Sequence, residues 1–401
     1  MMPADIPPAP AFKPLDAVIT RAVQEQRIVG TVVLVAHHGK VVYQRAAGWS
    51  DREAQKPMQP DSIFRLASVT KPMVTAAAMQ LEEEGRLPLQ APVTRWLPDF
   101  RPSAPSAQHP TITLEQLITH TSGLSYGFIE GENSAYARAR VSDGLNQSIS
   151  LAENLKRLAS VPLVYTPRTG WRYSLSIDVL GGVMEAETRQ SLPEIVRTRI
   201  TEPLGMKDTG FAVTDEERLT AVYKDAPPAA PDKSEPAHAA LRMKAQDTVD
   251  MGGSLLHFDL DHVWDKKAYP SGGGGMVGTA PDFMKFLLGL RPNARTRVLR
   301  PDTVRQMMLP HVNPAWVAWM KPGWSWGYGW AVLDDPATAQ TPMSKGTLQW
   351  GGVYGHNWFY DPVRDVAVVA FTNTTVEGMS GTFTTDVTNA VYGALTESPK
   401  K

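Results

Sequence analysis

Two serines in this chain have neighbours that could make them nucleophiles. "SVTK" (Ser68–Lys71) sets a serine three residues ahead of a lysine, and "GLSYG" (Gly123–Gly127) matches the G-x-S-x-G elbow. Either pattern would do acyl transfer through a serine ester, and one site uses one nucleophile. In SVTK the base would be the amine. Residues three apart share a helical face, so Lys71 falls within reach of the Ser68 hydroxyl. Among apolar neighbours a lysine loses part of its preference for the charged form and can take or relay a proton. In GLSYG the base would be a histidine from elsewhere. His356 with an upstream aspartate satisfies the chain order Ser–Asp–His; otherwise His356 orders a loop or lines the pocket.

The elements around each serine separate them. An elbow needs a strand entering and a helix leaving. Before Gly123 stands "TITLEQLITHTS", a helical pattern ending in a polar turn, and "FIEGENSAYARAR" after it begins as loop. Ser125 therefore reads as a loop serine between two turn glycines. Pro72 lacks an N–H and is tolerable only near a helix start, which places Ser68 at a helix mouth. There the helix dipole favours negative charge on an attacking oxygen. The helix itself, "TKPMVTAAAMQLEEE", is apolar nearly all round and stops at Gly85, so it belongs in the interior.

Residues 12–27 have helical spacing. Thr31–Ala36, a turn at Gly39 and Val41–Tyr43 read as a β-hairpin too apolar to have a wet face. Residues 86–269 are rich in helical patterns ("LAENLKRLA", "SIDVLGGVMEAE", "LPEIVRTRI") and hold a Pro/Ala-rich loop, "KDAPPAAPDKSEPAHAA". After "SGGGG" (271–275) come the helices "APDFMKFLLGL" and "DTVRQMML", then strand-like "GYGWAVL", "GTLQWGG", "HNWFYD" and "DVAVVAFTNT", then a last amphipathic helix. Strands at both ends predict one sheet assembled from the two termini, mostly antiparallel.

Composition narrows the function. Lys+Arg (40) nearly equals Asp+Glu (41), which argues against a nucleic-acid partner, and the absence of cysteine excludes disulfides and thiolate chemistry. "HFDLDH" carries metal-binding residue types at no metal-motif spacing and reads as a polar loop, so neither metal nor cofactor is expected. "SDG" at 142–144 reads as chance, and Trp171, Trp324, Trp326 and Trp330 as core or as an aromatic cleft. No run is long enough for a membrane span, and "MMPADIPPAPAF" is no secretory signal, so a soluble, cytoplasmic protein is expected. Oligomeric state is not legible.

Two more segments complete a pattern. "RYSLS" places Tyr173 ahead of a helical pattern, and "WGGVYGH" ends a strand-like run at Trp350. S-x-x-K, a Tyr-led tripeptide and a strand ending in x-Gly-Gly resemble the serine β-lactamase and penicillin-binding protein superfamily. More narrowly, the chain resembles the family VIII carboxylesterases of the esterase B type. The likeness spans about 300 residues, from "FRLASVTKPMVTAAAMQLEEEGRLPLQAPV" through "ITEPLGMKDTGF" and "GGGGMVGTAPDFMKF" to "WGYGWAV". It implies an α+β, serine β-lactamase-like fold, with an α/β lobe from 1–85 and 270–401 and a mainly helical lobe at 86–269. It makes Ser68 the nucleophile, lets Lys71 and Tyr173 share the base role, and assigns the oxyanion hole to the backbone N–H groups of Ser68 and Val353. For the phenol to act as a base near neutral pH, a positive charge at Lys71 must lower its pKa.

Two departures shape the expected substrate. Leu175 stands where lactamases of the superfamily carry an asparagine, and Trp350-Gly351-Gly352 replaces their Lys-Thr-Gly. An indole cannot pair with a carboxylate but makes an apolar wall. With His356 beside them, these residues imply a pocket for neutral, fairly apolar small-molecule esters, with transfer to alcohols or amines where water is outcompeted. The rival readings are a β-lactamase or D-Ala-D-Ala peptidase, a small-amide hydrolase, an α/β-hydrolase using Ser125, and a non-catalytic penicillin-binding receptor.

Overall fold

A computed structural model describes residues 10–106, 108–146, 148–226, 239–265 and 268–396. Helix α1 (Lys13–Gln24) buries Leu15, Val18, Ile19 and Ala22, the one stripe its spacing allows. It leads into β1 (Gly30–His37) and β2 (Lys40–Asp51), the expected hairpin, followed by the short β3 (Lys56–Pro57). Helix α2 (Thr70–Glu83) is buried along nearly its whole length, as its apolar circumference requires, and packs on α3 (Ser176–Thr188). After α4 (Ala280–Gly289) come β4 (Trp324–Trp326), β5 (Ala331–Leu333), β6 (Leu348–Gly352), β7 (His356–Asp361) and β8 (Val366–Thr372). Helix α5 (Thr382–Thr396) follows.

These strands form one eight-stranded antiparallel sheet in the order β4-β5-β6-β7-β8-β1-β2-β3. The termini meet in its middle, where Thr31 faces Thr372 and Val35 faces Val368. Adjacent residues of β7 point to opposite faces. Trp358 meets Phe283 of α4, whereas Phe359 meets Tyr392 of α5. Helices therefore cover both faces, which is why the strands read as continuous apolar runs. The architecture is the α+β one expected, one antiparallel sheet built from both termini with helices on its two faces.

Two local readings need correction, and one strand was not foreseen. "HFDLDH" is not a loop: it is the end of a strand (Leu255–Asp259), paired with Gln246–Asp250, plus a 3-10 turn at Leu260–Trp264. Its alternation of Leu256 and Phe258 with polar residues carried that signal. Trp324–Trp326 is an edge strand that the neighbouring Gly and Pro residues concealed. The stretch after GLSY opens with a one-turn helix, Gly127–Glu130. Much of the Pro/Ala-rich stretch, 227–238, lies outside the described residues.

Candidate active site

Ser68 lies in a single 3-10 turn, Ala67–Val69, that runs directly into α2. Pro72 occupies the third position of α2, where its missing N–H leaves no intrahelical bond unmade. Ala67 takes φ +44°, a left-handed conformation costing a residue with a Cβ about 1–2 kcal/mol. Ladders on either side hold that turn. Phe64–Arg65 pairs with Val277–Gly278, and the Leu66 N–H donates to the Met276 carbonyl (2.9 Å). From the sheet, His356 Nε2 donates to the Arg65 carbonyl at 2.7 Å. A carbonyl can only accept, so Nε2 carries the proton. Burial pulls this imidazole down to about 4, so it is neutral.

The Ser68 hydroxyl meets two groups. Lys71 Nζ lies 3.1 Å from Oγ, and the Tyr173 hydroxyl donates to Oγ at 2.7 Å. Tyr173 in turn accepts from Trp350 Nε1 (3.0 Å), so β6 fixes the phenol. Lys71 is fully buried. Its other neighbours are the Tyr126 hydroxyl at 2.9 Å and the Gly273 carbonyl at 2.7 Å. Burial pulls the ammonium down to about 7, with the Asp178 carboxylate partly opposing. Nζ donates to all three neighbours; when it gives up a proton, two N–H bonds can keep Gly273 and Tyr126 while the lone pair turns to the Ser68 O–H. The Asp178 carboxyl is itself pushed up by burial and accepts from Ser271 Oγ at 2.5 Å.

The Tyr173 phenol differs from the expectation of a lowered pKa. Burial pushes it well up, and the bonds to Ser68 and Trp350 offset this only in part. Lys71 Nζ stands over the ring, 4.5 Å from its centroid, rather than beside the hydroxyl. Tyr173 thus holds its proton in the resting protein.

Two glycines allow close approach here. A Cβ at Gly273 would collide with Asp178 and Tyr126, and one at Gly352 would overlap the Leu66 carbonyl. The second contact brings the end of β6 against the serine turn, which explains x-Gly-Gly in spatial terms. Ser68 and Val353 line one cavity of about 320 Å³, together with Tyr173, Trp350 and Gly351. Phe128, Leu145, Met251, Leu256 and Met379 make much of its wall apolar.

Leu175, Gly352 and His356 are not on that wall. Leu175 is buried at the start of α3, where its N–H donates to the Ser125 carbonyl (3.3 Å). Gly352 meets the Leu66 carbonyl, and His356 braces the serine turn from behind. All three support neighbouring backbone from behind the cavity. Trp326 and Trp330 are fully buried, and Trp326 stacks edge-on against Trp350 (4.7 Å) from the core side. Among the described residues no three His, Asp or Glu side chains converge as metal ligands, and no described helix is long and apolar enough to cross a membrane.

Ser125 has none of this machinery. It is fully buried, and its Oγ donates to Glu130 at 2.7 Å. Its motif nevertheless reaches the site through the next residue, Tyr126, on Lys71. "SDG" does so as well: Asp143 lines the cavity and accepts from the Gly127 and Phe128 N–H groups. Tyr126, Asp178 and Gly273 were missed by sequence reasoning. An acidic residue inside the apolar "SIDVLGGV" was the available signal for Asp178.

A family model described as Beta-lactamase matches residues 15–391. Esterase EstB of Burkholderia gladioli is 45% identical over 380 residues, 94% of this chain and 94% of that protein. Lovastatin esterase of Penicillium rubens is 29% identical over 378 residues, 86% of this chain and 89% of that protein. Among solved structures, EstCE1, a hydrolase with promiscuous acyltransferase activity, superposes with a TM-score of 0.88 at 41% identity. That match covers 95% of this chain and 98% of the other.

Proposed function

The chain belongs to the beta-lactamase family, and within it we propose a serine carboxylesterase that cleaves neutral, fairly apolar esters through an acyl-enzyme on Ser68. The observation that carries this reading is the Ser68 Oγ held between Lys71 Nζ and the Tyr173 hydroxyl on the wall of a largely apolar cavity.

The mechanism follows from which group holds a proton at rest. Neutral Lys71 takes the Ser68 proton as Oγ attacks the ester carbonyl. The oxyanion faces the N–H groups of Ser68 and Val353, each such donor being worth roughly 10²–10³ in rate. As the C–O bond to the alcohol breaks, the leaving oxygen takes the Tyr173 proton. The Lys71 ammonium stands 4.5 Å from the ring centroid of the phenolate so formed. Water then gives a proton to the phenolate and attacks the acyl carbon, and the departing Ser68 Oγ recovers its proton from Lys71. Both groups act as acid and as base, in opposite order, and the enzyme returns to its starting state.

Trp350, where a cation would grip an anionic drug, supports esters over lactams. The apolar wall also suits an acyl-accepting alcohol in place of water, which supports acyl transfer as a side reaction. We place the site between a discontinuous α/β lobe (1–85 and 270–401) and a mainly helical one (86–269), in a protein acting on small molecules in the cytoplasm. Turnover of p-nitrophenyl butanoate should exceed that of a chromogenic cephalosporin in kcat/KM; the reverse order would overturn the esterase reading.

A further inference from the structure

The cavity that holds Ser68 also holds a cation the mechanism does not use. Lys321, in the turn after the short helix Pro314–Val317, lines this cavity with Met320 and Gln349. Its ammonium donates to Gln349 Oε1 at 2.7 Å and lies 4.2 Å from the Trp324 ring centroid. Among the described residues no carboxylate pairs with it. The carboxylate on the same wall, Asp143, is held by the Gly127 and Phe128 N–H groups. Burial pulls Lys321 down to about 8, and no neighbouring anion counters it.

The amide beside Lys321 is fixed in orientation. Asn357 Nδ2 donates to the Met379 carbonyl (2.9 Å), which turns its Oδ1 toward Gln349. Gln349 Nε2 donates to that Oδ1 (3.3 Å), so the Gln349 oxygen faces Lys321. Lys321, Gln349 and Asn357 make a polar strip on a wall that is otherwise mostly apolar. An ammonium has three N–H bonds, and one hydrogen-bond acceptor and one ring face leave it incompletely served. A part-buried cation without a counter-charge is costly, and an anionic group on a ligand would complete it.

We propose that Lys321, oriented by Gln349, recognises a carboxylate on the substrate, so that esters bearing a second, anionic group are a favoured class at this site. This rests on the esterase reading and extends it beyond neutral esters. The carboxylate could be carried on the acyl chain or on the alcohol.

The test compares matched pairs. For the acyl side these are monoethyl adipate and ethyl hexanoate; for the alcohol side, 3-(butanoyloxy)benzoate and phenyl butanoate. Hydrolysis by wild type, Lys321→Met and Lys321→Arg is followed at pH 7.0, chosen so that Lys321 is mostly charged. In Lys321→Met the anionic-to-neutral ratio of kcat/KM should fall roughly tenfold or more in at least one pair, the loss expected for one charge-assisted hydrogen bond. Lys321→Arg should retain most of it, and the affected pair identifies the side. Ratios unchanged in both pairs would overturn the proposal.

Calorimetry of monoethyl adipate and 3-(butanoyloxy)benzoate on Ser68→Ala, with and without Lys321→Met, gives a readout independent of turnover. Binding of at least one should weaken roughly tenfold; equal affinities for both ligands would refute the carboxylate subsite. Wild type that hydrolyses no ester would instead sink the esterase reading, and the calorimetric result would still decide the role of Lys321.

Discussion

Ser68 and Ser125 make a controlled comparison within one molecule. Each stands in a recognised nucleophile motif, each lies just before a helix, and each hydroxyl has a charged or ionisable partner. The partners differ in kind. Ser68 meets an amine whose proton burial has loosened, whereas Ser125 donates to a carboxylate already engaged by Arg172 at 3.3 Å. The surroundings differ as well: Ser68 opens on a cavity, and Ser125 is closed in. A serine becomes a nucleophile through a base able to take its proton and space for an acyl group, and a five-residue string specifies neither.

The largest effect should come from breaking the Ser68 side. Ser68→Ala should lower kcat for p-nitrophenyl butanoate by roughly 10⁴-fold or more, as loss of a nucleophile does. Tyr173→Phe should cost about 10²–10⁴, the usual range for a positioned acid–base group. With Lys71 pulled down to about 7, the base is protonated and useless below that pH. The kcat/KM of wild type should therefore fall as pH drops through about 7. A flat profile from pH 5 to 9 would remove Lys71 from that role.

Gly352→Ala sharpens the same contrast from the backbone. A Cβ there meets the Leu66 carbonyl, so β6 must back away from the serine turn. Displacing the Val353 N–H should cost about 10²-fold in kcat, the worth of one oxyanion donor. KM should change much less. An equal rise in KM with kcat intact would mean that the strand end only binds substrate.

The legible part of this fold was the part built from long periodic runs. α2 and β1 declare themselves because burial along nearly their whole length leaves long apolar runs, and α5 because its buried residues recur at helical spacing. Ser68 and Lys71 were legible as a pair because the amine is three residues from the serine. Tyr173 came only with the resemblance that S-x-x-K, the Tyr-led tripeptide and x-Gly-Gly make together. Tyr126 and Gly273 were not legible, because they reach Lys71 from loops 55 and 202 residues away, and only the tertiary fold brings them there. Leu175 and His356 lie off the cavity wall for a related reason. A motif position tells which strand or helix a residue begins, but not whether its side chain turns to the cavity or to the core.

Tyr126→Phe tests whether the GLSYG loop contributes through its tyrosine. The hydroxyl accepts from Lys71, which favours the charged amine, so its loss should lower the Lys71 pKa further. The acid limb of kcat/KM should move down by about one pH unit, since a hydrogen bond to a charged group is worth about 1.5–3 kcal/mol. The kcat should fall roughly tenfold through lost positioning. An unmoved limb would make Tyr126 a packing residue only.

Ser125→Ala completes the comparison with the smallest effect. Its hydroxyl bonds Glu130, and Glu130 keeps Arg172 when the hydroxyl is removed. The Ser125 carbonyl, which accepts from Leu175 N–H, belongs to the backbone and stays. Stability should drop by about 1–2 kcal/mol, the cost of one buried hydrogen bond and its small void, read as a lowered denaturation midpoint. The kcat/KM should stay within about threefold, because no reacting atom is touched and α3 still starts where it did. A loss of activity larger than the loss of stability explains would restore the elbow as a working part, and would require a base for Ser125 that the Glu130 carboxylate, already paired with Arg172, is poorly placed to be.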